Sequence, residues 1–154
     1  MANTKLGNTP SWSGQTVEKL DSTKQLEPGD SGKIFMIDLS VAAFDVNLPQ
    51  LSSNIAGWNC KFMTQTSGSV DCSVLGYGLP TAGGSSGGDN DVMVYNELSL
   101  EGGDSSSART SSADGFTIEA ASVKGDYWDV FTDGSLWYVT AVVHEVAHST
   151  AIDS

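Results

Sequence analysis

The chain has 154 residues, 19 of them acidic against 7 basic, for a formal net charge of −12. That length suits one domain with its own core, and the charge argues against direct binding to nucleic acid or anionic membrane, which need a positive footprint. Seventeen glycines, abundant Ser and Thr, and few Lys, Arg or Glu argue against a helical bundle and for short strands separated by turns.

Residues 1–20 are polar, with Gly7, Pro10 and Gly14 and one isolated tryptophan, Trp12. They read as an extended N-terminal arm, with Trp12 and Val17 its candidates for partner contact. The N-terminus carries no apolar core of a secretory signal, and no apolar run approaches the roughly 18 residues that span a bilayer. A protein made and kept in a cytoplasm is expected, with a β-sandwich domain over 21–154.

Val17 to Leu26 gives a short β segment broken at Asp21-Ser22, and Glu27-Pro28-Gly29-Asp30 gives a turn. Lys33 to Asp38 is apolar enough to be a strand covered on both faces. Phe44, Val46 and Leu48 alternate with Asp45 and Asn47 in the next strand, which Pro49 is expected to end. Gln50 to Gly57 reads as one helical turn or an irregular crossing. Trp58–Gln65 and Ser69–Leu75 read as a hairpin about Ser67-Gly68, with Cys60 and Cys72 on their inward sets as buried free thiols. Residues 76–91 and 101–113 are Gly/Ser-rich loops on either side of a strand or two through Val92, Val94 and Leu98. Phe116 and Ile118 mark another strand.

The densest signal lies at Gly125–Val143. Tyr127, Asp129 and Phe131 alternate with Trp128, Val130 and Thr132, so one set faces each side of a sheet. Asp133-Gly134 is a hairpin signal of the type I′ kind, and Trp137 and Tyr138 open the return strand. Trp128, Asp133, Gly134, Trp137 and Tyr138 are therefore the expected structural core of this hairpin. Eight or so strands, no amphipathic helix and no internal repeat amount to one all-β sandwich or barrel.

His144-Glu145-Val146-Ala147-His148 follows directly and matches the zinc-peptidase pattern H-E-x-x-H. On a helix the two histidines would share a face and Glu145 would be the general base. The β-branched and aromatic residues before it favour a continued strand instead, which sets His144 and His148 about 13 Å apart. An ion site or hydrogen-bonded ring shared between subunits, built from His144 or His148 about a threefold axis, is the remaining reading, with a pH-sensitive interface as its consequence. Asp89-Asn90-Asp91 and Glu101-Gly102-Gly103-Asp104 cluster oxygen ligands without the spacing of a calcium loop, and read as solvated loop tips. No nucleophile–base pair and no phosphate-binding loop stands out, so the protein is not expected to be an enzyme or to carry a cofactor.

Three motifs occur in an order that resembles a family of small β-structured virion proteins of tailed bacteriophages. They are Ser31-Gly32-Lys33-Ile34-Phe35-Met36-Ile37-Asp38; Leu48-Pro49 followed by Ala56-Gly57-Trp58-Asn59-Cys60-Lys61-Phe62; and Gly125-Asp126 followed by Asp133-Gly134-Ser135-Leu136-Trp137-Tyr138-Val139. The resemblance covers roughly residues 20–143 and departs at HEVAHSTAIDS. It implies a jelly-roll-like domain, commonly trimeric, that decorates the outer surface of the phage head and bridges major capsid subunits. The same module occurs in tail fibres, so a receptor-binding module using loops 76–91 and 101–114 is the alternative. A chain with its own Met1 that stops just past the module favours the decoration role.

Overall fold

Along most strands of this chain a buried side chain alternates with one in contact with solvent, and two sheets form with their buried sets facing each other. A computed structural model describes residues 15–77, 92–100 and 107–152. The strands are β1 (Val17–Leu20), β2 (Lys24–Gln25), β3 (Ile34–Asp38), β4 (Phe44–Gln50), β5 (Asn59–Thr66), β6 (Cys72–Tyr77), β7 (Met93–Ser99), β8 (Ser107–Ala113), β9 (Gly115–Ile118), β10 (Tyr127–Thr132), β11 (Trp137–Val143) and β12 (Ser149–Ile152). One sheet has the order β1-β3-β5-β10-β11-β7-β8, the other β12-β9-β6-β4-β2. The only helical segments among the described residues are three single 3₁₀ turns, at Pro28–Asp30, Ser53–Ile55 and Val146–His148.

The first six strands go alternately to the two sheets, so β1, β3 and β5 lie parallel in one and β2, β4 and β6 parallel in the other. Antiparallel pairing enters only with β8 onward. The core between the sheets is built on Phe35, Phe62, Phe116, Trp128, Trp137 and Tyr95, all at most 1% exposed. Phe62 and Phe116 meet edge-on at 6.1 Å, and Trp128 stacks on Phe116 at 6.3 Å, tying one sheet to the other.

Several local expectations are corrected. The segments around Ser67-Gly68 are not a hairpin: β5 and β6 belong to different sheets, and the link crosses between them. Gly68 makes that crossing, its N–H bonded to the Ala120 carbonyl while its α-carbon backs onto residue 39. A Cβ there would lie 1.6 Å from the Leu39 carbonyl oxygen. A Gly68→Ala variant is therefore expected to lose about 1–3 kcal/mol as the loop moves away, measured as a lower denaturant midpoint; an unchanged midpoint would contradict this packing.

The arm assigned to 1–20 does not extend over Val17–Leu20. Val17–Leu20 are an edge strand paired with β3, because Leu20 buries its side chain in the core. Pro49 does not end β4, which runs on to Gln50. Residues 107–113, read as loop, form β8 through backbone pairing with β7, and polar Ser149–Ile152 form β12 on the edge of β9. Between Thr132 and Trp137 the hairpin loop is longer than a two-residue type I′ turn. Asp133 takes the extra residues in hand: its Oδ1 accepts from the Ser135 hydroxyl, the Ser135 N–H and the Leu136 N–H, and its Oδ2 from the Tyr138 hydroxyl. Those bonds, the Ser135 hydroxyl foremost, hold the Asp133 carboxyl well below the ordinary carboxylate range. Gly134 has φ +95°, and a Cβ on it would sit 2.8 Å from the Ser52 carbonyl oxygen, so glycine is required twice over.

Candidate interaction face and the buried histidine turn

The outward side of the seven-stranded sheet is less polar than a solvated face should be. In register across β3, β5, β10, β11 and β7 stand Met36, Met63, Tyr127, Val142 and Leu98. At roughly 4.8 Å per strand this row is about 20 Å long. Two residues along β10 a second row is mostly polar, with Ile34, Lys61, Asp129, Thr140 and Asn96. A third row holds Asn59, Phe131, Tyr138 and Val94. Largely apolar rows thus flank a polar one. Phe131 is 50% exposed and stacks on Tyr138 at 4.9 Å, and Leu98 is 43% exposed.

The charge on this face is as unusual as its apolarity. Over β1, β3, β5, β10, β11 and β7 the outward charged side chains are Lys19, Lys61 and Asp129, with Asp38 at the end of β3 paired to Lys19 at 2.7 Å. Lys61 Nζ lies 3.1 Å from Asp129 Oδ1 and 4.1 Å from the centroid of the Tyr127 ring. Two cations thus meet two carboxylates, on a chain whose net charge is −12. This part of the face is close to neutral while the chain as a whole is strongly acidic. Val17, 60% exposed on β1, borders it, whereas Trp12 lies outside the described residues.

The HEVAH segment takes neither expected form. β11 ends at Val143, and Val146–His148 make a 3₁₀ turn with Glu145 as its N-cap. The strand therefore does not continue through the histidines, and their ring centroids are 6.2 Å apart instead of the separation an extended chain would give. Nor is the α-helix of a zinc peptidase present at 144–148. His148 is 3% exposed, and its Nδ1 donates to Asp126 Oδ2 at 2.7 Å. An intersubunit site would have to rest on the exposed His144, because His148 is committed inside its own subunit. Among the described residues no group of three His, Cys, Asp or Glu is placed to hold a metal ion. Asp89, Asn90, Asp91, Glu101 and Asp104 lie outside the described residues.

Asp126, 4% exposed, gathers three segments at once. Its Oδ1 accepts the His144 N–H at 2.8 Å and its Oδ2 the Val123 N–H at 3.0 Å, in addition to His148. The His148 carbonyl accepts from the Ser122 hydroxyl and the Glu119 N–H. Ser149 Oγ accepts from Trp128 Nε1 at 2.8 Å, donates to the Thr117 carbonyl, and lies 2.5 Å from the Tyr95 hydroxyl. That hydroxyl donates to Glu97 Oε2 at 3.1 Å. Ser149 is thus occupied by core partners other than His148, and the arrangement is a latch for the C-terminal segment. Cys60 and Cys72 are both buried free thiols, and burial pushes both up.

Burial also pushes the Glu97 carboxyl above its ordinary value, with the Tyr95 hydroxyl opposing the shift. A carboxyl that holds its proton more tightly folded than unfolded adds stability at acid pH. That contribution is lost as pH rises from the ordinary carboxylate value through the raised one. Glu97→Gln keeps an acceptor for Tyr95 and removes the charge. Its melting temperature is expected to exceed that of the parent at neutral pH and to converge with it in acid, checked by thermal melts between about pH 4 and 8. A constant difference across that range would contradict the assignment.

No helix among the described residues is long and apolar enough to cross a membrane. Comparison with protein-family models, with curated proteins and with solved structures yields no match. Among the described residues the four glycines with positive φ, Gly32, Gly57, Gly125 and Gly134, all fall inside the three motifs singled out from the sequence. Those motifs mark where strands begin and turns close.

Proposed function

We propose that this protein is a structural component of a tailed-bacteriophage virion. It decorates the outer surface of the head as a trimer and stabilises contacts between major capsid subunits. The observation that carries this reading is the broad, near-neutral, apolar outward face of the seven-stranded sheet. A face of this kind suits docking on another protein, and the acidic remainder of the chain opposes indiscriminate association. The virion partner comes from the resemblance of the ordered motifs, which the positive-φ glycines support as a fold grammar.

Incubating the protein with undecorated heads tests the proposal. Binding by cosedimentation is expected, and Phe131→Asp is expected to weaken it at least about tenfold, as for an interface anchor, with an unchanged melting temperature. Ser73→Asp, on the other sheet, leaves binding intact. Absence of the protein from purified heads, or equal binding by Phe131→Asp, would sink the proposal. Mass measurement in solution checks the trimer.

A further inference from the structure

A groove of about 620 Å³ is lined by residues outside the rows of that face. It lies beside the short edge strand β2, between the Gln25–Pro28 segment and the end of β4 with the 3₁₀ turn that follows. Tyr77, 40% exposed, closes one side, and its hydroxyl donates to Asn47 Oδ1 at 3.3 Å, which fixes the ring. A second recess of about 270 Å³ continues from it past Asn54 and Ile55 to Trp58.

The chemistry of the lining is specific. Gln50, Asn54 and Ser52 offer uncharged donors and acceptors, Gln25 its amide oxygen, the prolines and Ile55 apolar walls, and among the described residues Glu27 is the one charged residue in the lining. This leaves little to pair with an ionic ligand. Part of the main chain around the groove is already committed. The Leu26 N–H bonds to the Asn47 carbonyl and the Leu51 N–H to the Tyr77 carbonyl. Gln25 Nε2 caps the carbonyls of Leu26, Asn47 and Leu48. Pro28 and Pro49 have no N–H to give. An extended peptide held by strand addition therefore finds few backbone partners here. Recognition falls to side-chain amides, hydroxyls and one aromatic ring.

We infer that the groove binds a neutral oligosaccharide. Planar amides reach paired hydroxyls as donor and acceptor together, and the Tyr77 ring supplies an apolar platform with a polar tip for the carbon face of a sugar ring. The two joined recesses accommodate more than one sugar unit. The inference is separable from the docking proposal, since none of the residues lining the two recesses belongs to the outward rows of the seven-stranded sheet.

The test uses the full chain on a printed array of neutral and sialylated oligosaccharides. The best-bound glycan is then titrated while backbone and side-chain amide resonances are followed by NMR. Binding to neutral glycans is expected, with shifts at the Gln50 and Asn54 side chains. Tyr77→Ala and Gln50→Ala are each expected to weaken binding at least about tenfold, as for side chains central to a contact. Gln50, exposed at the strand end, serves as the variant least able to disturb the fold. Phe131→Asp leaves glycan binding unchanged, which separates this inference from the docking proposal. No binding to any neutral glycan at millimolar concentration, binding confined to sialylated ones, or full binding by both groove variants would overturn it.

Discussion

Trp128→Ala is expected to lose about 3–5 kcal/mol of stability, read as a lower denaturant midpoint at an unchanged slope. Trp128 is fully buried on β10, flanked in register by Phe62 and Ala141, and stacked across the core on Phe116 of the opposite sheet. Removing the indole leaves a cavity at the contact between the sheets. It also takes away the hydrogen bond that Trp128 Nε1 donates to Ser149, loosening β12. Trp128→Phe separates the two effects: it keeps most of the apolar contact and is expected to cost about 0.5–1.5 kcal/mol for the lost hydrogen bond. A loss under about 1 kcal/mol for the alanine variant would contradict the central place given to this ring.

Asp126→Ala is expected to cost at least about 1–3 kcal/mol, the penalty for leaving buried donors unsatisfied. The carboxylate receives the His148 ring and the backbone N–H groups of Val123 and His144, so its removal leaves three donors without their acceptor. Asp126→Asn is expected to restore only part of the loss, because its amide nitrogen faces a donor. Hydrogen exchange gives the local signature: the amides of Val123 and His144 lose protection ahead of the rest of the sheet. Wild-type stability and protection in the alanine variant would show that the C-terminal segment is held some other way.

Much of the sandwich was legible because burial imposes alternation. Phe44, Val46 and Leu48 announce β4, and the two sets on β10 announce a sheet with two dissimilar sides. Which set of β10 faces the core was not legible, since Tyr127 and Phe131 are as apolar as Trp128 and Val130; the second sheet decides it. β8 and β12 escaped notice because SARTSSA and STAI show no apolar period, and tertiary pairing with β7 and β9 makes strands of them. The Gly/Ser link at 67–68 suits a hairpin or a crossing equally well, and only its packing on Leu39 separates the two. The histidine turn was legible as a motif and not as a structure. The partner that buries His148 is Asp126, whose nearness in space leaves no trace in local sequence.

Because β1 to β6 alternate between sheets, no two strands that follow one another in this half of the chain pair together. Val17 must find Ile34, Ile34 must find Lys61, and Phe44 must find Cys72, each across an intervening strand of the other sheet. Contacts of this kind close late, on the millisecond-to-second scale, while a hairpin such as β10–β11 closes in microseconds. The hairpin also supplies the strand against which β5 aligns. During synthesis the first half therefore emerges before β10, the strand on which β5 aligns.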